Sequence, residues 1–116
     1  MEILPIFEQN LIHASGVVYG PPVPTGEREG YFSLVARLRG GGIVRFTYQA
    51  SFDGEAWATP QNAPDILSGV GETSGPGGDG LMIEQFHPKL APYIRIVATE
   101  TGGVSAALLY VALAMK

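Results

Sequence analysis

Three stretches of the chain alternate between apolar and polar side chains with the regularity of a strand that buries one face. Residues 31–39 place Phe32, Leu34, Ala36 and Leu38 on one side and Ser33, Arg37 and Arg39 on the other, a period of two that matches a pleated strand and no helix. Residues 43–51 set Val44, Phe46, Tyr48 and Ala50 against Arg45, Thr47, Gln49 and Ser51, and residues 93–99 set Ile94, Ile96 and Ala98 against Arg95 and Thr99. Shorter runs at 2–7, 11–19, 64–69 and 81–86 bring the expected number of strands to about seven or eight, spaced as in a sandwich or barrel. No stretch carries an amphipathic helical pattern of comparable length.

The final run, Ser105 to Met115, is rich in Ala and Leu, which also suits a helix. It has no polar face, however, and this favours a strand covered on both sides. Glycines separate the strongest runs. Gly40–Gly42 predicts a hairpin between 31–39 and 43–51, and Gly102-Gly103 predicts another between 93–99 and the final run. Two segments look irregular, 20–30 with its three prolines and the glycine-rich 70–80. Loops of that length commonly bind something or reach across a boundary.

Composition narrows the class. A chain of 116 residues suits one domain spanning 1–116, and 46% hydrophobic with 16% charged residues supplies enough apolar surface to offset the entropy of ordering. The fold expected is all-β, a two-sheet antiparallel β-sandwich or a jelly-roll-like barrel. The net charge is −4 and the five arginines are dispersed from Arg28 to Arg95, so no phosphate-binding surface and no nucleic-acid partner are expected. The most apolar stretch, Val104 to Met115, has 12 residues where a bilayer span needs about 20, and no membrane partner is expected. Met1 to Asn10 carries Glu2 and Glu8 and lacks the basic start of a secretory signal. Export would need another route.

The candidate chemistry is sparse. There is no cysteine, which removes thiol nucleophiles and thiolate metal sites. His13 and His87 stand in distant segments, and a metal site needs several converging ligands. No Gly-x-Ser-x-Gly elbow, P-loop or dinucleotide fingerprint occurs. We expect no catalytic residues, no cofactor and no metal.

The sharpest local motif is Ser51-Phe52-Asp53-Gly54-Glu55-Ala56-Trp57. Asp-Gly ends a strand with the positive φ of a turn and Trp57 begins the return. The segment resembles the Asp box of sialidases, although Gly54 follows Asp53 directly and Trp57 comes one residue early. In families with that box it is a folding device, which implies Asp53 and Trp57 as scaffold. The aromatics Tyr19, Tyr31 and Trp57 are the candidates for stacking on a ligand. The final run, apolar on both faces, needs a cover for one of them, and a second copy of the chain is the cover expected. Leu108, Tyr110 and Ala112 are the candidate interface residues, joined by Arg95, and charges placed there should split the assembly.

The strand ending in Ser-Phe-Asp-Gly-Glu-Ala-Trp, the later Leu90-Ala91-Pro92-Tyr93-Ile94-Arg95-Ile96 and the closing apolar strand together resemble small β-sandwich proteins of tailed-phage and prophage structural clusters, over residues 31–116. The resemblance implies a non-enzymatic, virion-associated component that works by homo-oligomerisation, with other virion proteins as further partners, and assembles in a bacterial cytoplasm. The same elements also resemble discoidin-like and carbohydrate-binding sandwiches, which implies the alternative of a glycan-binding module.

Overall fold

A computed structural model describes residues 1–26, 28–89 and 91–116. It contains nine strands, β1 (Glu2–Ile12), β2 (Val17–Tyr19), β3 (Val23–Pro24), β4 (Phe32–Arg39), β5 (Val44–Ser51), β6 (Leu67–Val70), β7 (Leu81–Phe86), β8 (Tyr93–Glu100) and β9 (Ala106–Met115), and no helix among the described residues. They form two antiparallel sheets packed face to face. One has the order β1-β9-β4-β7, the other β2-β8-β5-β6 with β3 also pairing with β8. The sheets stay open at their edges, so the fold is a sandwich and not a closed barrel. Of the segment 20–30, Glu27 lies outside the described residues, as does Leu90 of the Leu90–Ile96 motif.

The alternation in β4, β5 and β8 translates directly into the core. Phe32, Leu34, Ala36 and Leu38 from one sheet meet Val44, Phe46, Tyr48, Ile94, Ile96 and Ala98 from the other in a single hydrophobic cluster. The final run is a strand, as its missing polar face predicts, and it is central in its sheet between β1 and β4.

Neither predicted hairpin forms. β4 and β5 belong to different sheets, and so do β8 and β9. Gly40–Gly42 and the Gly102-Gly103 turn are therefore arches that carry the chain across the sandwich. The reason lies in the inward faces: each of these strands has a wholly apolar side, and an arch sets the two sides against each other across the core where a hairpin would lay them edge to edge. Glycine is required in the first arch because a Cβ on Gly42 would lie 2.5 Å from the Val104 carbonyl oxygen.

The arches are tied together at one pole of the sandwich by Glu100. Its carboxylate accepts the backbone N–H groups of Ser15 (2.9 Å), Ile43 (2.9 Å), Gly102 (2.6 Å), Gly103 (2.7 Å) and Val104 (3.2 Å). These donors lie in three separate crossings, β1 to β2, β4 to β5 and β8 to β9. A fourth crossing joins β6 to β7 at the same pole, and there Glu72 accepts the Gly40 N–H at 2.9 Å. The glycine-rich segment 71–80 is folded down locally by Gly80 N–H donating to Ser74 and Leu38 N–H donating to Gly80. It is a packed loop and not an arm reaching outward.

Glu100 is almost fully buried, and burial alone would raise the pKa of a carboxyl group. Donation by the Ser15 amide, the largest influence, joins those of Ile43, Gly102 and Gly103 to outweigh it and hold the value at about 2 against an ordinary 4.5. A depressed folded-state pKa contributes stability that is fully present above the ordinary value and is lost as pH falls through the folded one. Glu100→Gln, which removes the charge and turns an N–H donor toward the amide cluster, is expected to lower the melting temperature at neutral pH. The deficit should shrink steadily between about pH 4.5 and about pH 2, as scanning calorimetry across that range will read; a deficit independent of pH would contradict the role assigned to the charge.

Candidate functional site

The outer surfaces of the two sheets differ in chemistry, and the candidate residues divide between them. On the five-stranded sheet, Arg95 projects from β8 opposite Gln49 of β5. Its Nε and Nη2 both donate to the Gln49 side-chain oxygen, at 2.8 and 2.6 Å. The guanidinium carbon stands 4.3 Å from the centroid of the Tyr19 ring and 4.7 Å from that of Trp57, within reach of a cation–π interaction with both. Tyr19 comes from β2, on one side of β8. Trp57 comes from beyond β5 on the other, where Ala58 bridges to Ala50.

Trp57 is brought there by the turn that precedes it. The Asp53 carboxylate accepts the N–H groups of Glu55 and Ala56, both at 2.9 Å, and the Ser51 hydroxyl at 3.0 Å, while Ser51 Oγ accepts the Gly54 N–H at 2.9 Å. Gly54 has a φ of 80°, the left-handed conformation that favours glycine. Donation from Ala56, then Glu55, then Ser51 holds the Asp53 carboxyl below its ordinary range. The turn is thus a folding device, as the resemblance to the Asp box implies. Trp57 is not scaffold of the core, however: it is half-buried on the outside of the sheet and absent from the core cluster.

The other candidates are dispersed. Tyr31 lies at the pole opposite Glu100, edge-on to His87 with ring centroids 5.4 Å apart, while His87 Nδ1 is 3.0 Å from the Gly30 carbonyl oxygen. It lines a shallow cavity of about 180 Å³ with His87, Gln85 and Lys116 and contributes nothing to the Tyr19–Trp57 cluster. His13 sits in the turn after β1 at the Glu100 pole, far from His87. Among the described residues no group of three or more His, Asp or Glu is placed to hold a metal ion.

The four proposed interface residues do not share a face. Arg37 pairs with Tyr110 and Leu38 with Leu108, so Leu109 is an extra residue that breaks the alternation of β9. Leu108 consequently points into the core with Val111, Leu113 and Met115, and is fully buried. Ala112 does lie on the outer face, walled in between Pro5 and Val35. Tyr110 is on that face and 39% exposed. Arg95 belongs to the opposite sheet. A test at Leu108 would break the core, and the informative positions are others.

Register supplies them. Across the outer face of the four-stranded sheet run three rows: Ile3, Ala114, Ser33 and Gln85; Pro5, Ala112, Val35 and Ile83; Glu8, Tyr110, Arg37 and Leu81. Ile3 is 61%, Ile83 69% and Leu81 40% exposed. Arg37 Nε is buried yet has no hydrogen-bond partner among the described residues. Ile3 and Ile83 carry no signal in the sequence beyond membership of the weaker strands, because the face only becomes contiguous once β1, β9, β4 and β7 are side by side. Gln49 was legible only as a polar strand position.

Compared with known proteins, the chain matches no protein family and no curated protein.

The placement of Trp57 sets a measurable contrast. Trp57→Ala should cost about 1 kcal/mol or less, the scale of an exposed cation–π contact, whereas Phe46→Ala, in the centre of the core, should cost about 3–5 kcal/mol. Urea unfolding of both variants measures the difference, and equal losses would return Trp57 to the scaffold.

Proposed function

We propose that this chain is a non-enzymatic structural component that assembles by docking a second copy onto the outer face of its four-stranded sheet. The observation that carries the reading is the central row of that face, Pro5, Ala112, Val35 and Ile83, apolar from edge to edge and flanked by exposed Ile3 and Leu81. Contiguous apolar surface of this kind is uncommon on a protein that works alone.

The charges on the face fit a second copy related by a twofold axis parallel to the strands. Such an axis sets β9 of one copy over β4 of the other and β1 over β7, with each row facing itself. The apolar row then meets the apolar row, Arg37 meets Tyr110 of the second copy, and Glu8 lies beside Arg37 of the second copy. The Arg37 guanidinium, whose Nε lacks a partner among the described residues, gains an aromatic face and a carboxylate. Sheets packed in this manner are the aligned arrangement usual in sandwiches. Four strands and the three side-chain rows present about 400 Å² per copy, so the pair buries about 800 Å², the range of a weak, transient interface. The affinity expected is accordingly weak, and an assembly built from such contacts is reversible.

The likeness to small phage and prophage sandwich proteins agrees with a self-assembling role in or on a virion, with assembly in a bacterial cytoplasm. A second reading, a carbohydrate-binding module, is favoured by a different observation, the gathering of Tyr19, Trp57 and Arg95 on the five-stranded sheet.

Light scattering and sedimentation equilibrium at high micromolar concentration should give a dimer, the closed assembly of a single twofold contact. Ile83→Glu and Tyr110→Glu, both at exposed positions, should each yield a folded monomer by circular dichroism, with dimer affinity reduced at least about ten-fold, since a buried unpaired carboxylate is costly. A wild-type monomer at that concentration would overturn the proposal.

A further inference from the structure

We propose that Arg95, Gln49, Tyr19 and Trp57 form a receptor for the carboxylate of an acidic saccharide. The inference rests on the carbohydrate-binding reading and names its ligand class.

An arginine presents two forks of parallel N–H donors, one along its side through Nε and Nη2, and one at its end through Nη1 and Nη2. Here Gln49 occupies the side fork with a single oxygen. That contact orients the guanidinium and leaves the end fork, whose geometry matches the two oxygens of a carboxylate. The contact also brings no charge: Gln49 orients Arg95 without neutralising it. Among the described residues the sole ion pair is Arg28 with Glu2, so Arg95 keeps its full charge.

By register the outward residues of β5 and β8 are Arg45, Thr47, Gln49, Ser51, Tyr93, Arg95, Val97 and Thr99, two arginines and no acid. Acids border them, Asp65 beside Arg45 and Thr47, and Asp53 and Glu55 in the turn before Trp57, so the attraction for an anion is local to the Arg95 fork. The two rings reduce the hydration of the guanidinium and strengthen a bound ion pair.

A carboxylate alone would need only the arginine. Tyr19, 52% exposed, offers an aromatic surface for the C–H side of a sugar ring next to the fork. The Gln49 amide NH2 and the hydroxyls of Thr47 and Thr99 on the same face are partners for sugar hydroxyls. An aromatic surface, neutral hydrogen-bonding groups and one pre-positioned arginine together match the apolar side, the hydroxyls and the carboxylate of a uronic acid unit. The face is a sheet surface, which suits a chain of such units lying across it.

Trp57 is the only tryptophan, so its fluorescence reports the site directly. Titration with short oligogalacturonate should shift or quench that emission, with an affinity that weakens as salt is added. The methyl ester of the same oligosaccharide should bind at least about ten-fold more weakly, the loss of one charge-assisted pair. Arg95→Lys keeps the charge without the fork and should lose binding to a similar degree. Gln49→Glu, which supplies an internal carboxylate to Arg95, should do so as well, and keeps the test open if one variant folds poorly. Equal binding of the methyl ester would overturn the carboxylate assignment and leave the saccharide reading standing. Oligoglutamate binding as well as the sugar would overturn the saccharide assignment. No response to either oligosaccharide would overturn both.

Discussion

A single buried carboxylate organises the end of the sandwich where the chain changes sheets. Glu100 accepts five backbone N–H groups from three crossings that are far apart in sequence. Crossing segments cannot satisfy their amides within a sheet ladder, and an unsatisfied amide at the edge of a core is costly. One acid residue meets that need for the β1–β2, β4–β5 and β8–β9 connections at once. The relative position of the two sheets, and hence what each outer face displays, depends on this pole holding.

How far the sequence discloses the fold follows from the range of the interactions involved. Which residues face inward in β4, β5 and β8 is a local matter of alternation, and it is legible residue by residue from Phe32 to Ala98. Whether Gly40–Gly42 makes a hairpin or an arch is not local, since both use glycine and both join apolar-faced strands. The deciding contacts are Gly42 against Val104 and Ile43 against Glu100, about 60 residues apart. The side on which Leu108 lies is hidden from the sequence for a related reason: the extra residue at Leu109 is defined only by the pairing of β9 with β4. Glu100 itself stood at the end of a readable strand, just before Thr-Gly-Gly, with nothing in that neighbourhood to announce five donors.

The site was legible in part. The sequence points to Tyr19 and Trp57 as ligand aromatics and to Arg95 as an interface residue, and only the β2-β8-β5 order joins them. Asp53 could be read as a turn former from Ser51 to Trp57 alone, because all its partners lie within three residues. The outer face of the other sheet became visible only through register, which places Ile3 from the start of the chain in one row with Gln85. The two faces then differ in chemistry, one with an apolar central row between mixed rows, the other with Arg95 held between Tyr19 and Trp57.

The central position of β9 has a kinetic consequence. The strand that holds β1 against β4 is the last of the nine to leave the ribosome, and β1, which pairs with it from Glu2↔Met115 to Ile12↔Ala106, is the first. Until β9 is made, the four-stranded sheet lacks its middle: β4 has β7 on one side only, and β1 has no neighbour in the sheet. The fold therefore closes after synthesis of its strands and not during it, through pairings of long sequence separation that are slow to form. In that interval the exposed strands are the molecule's most vulnerable to association with the wrong partner.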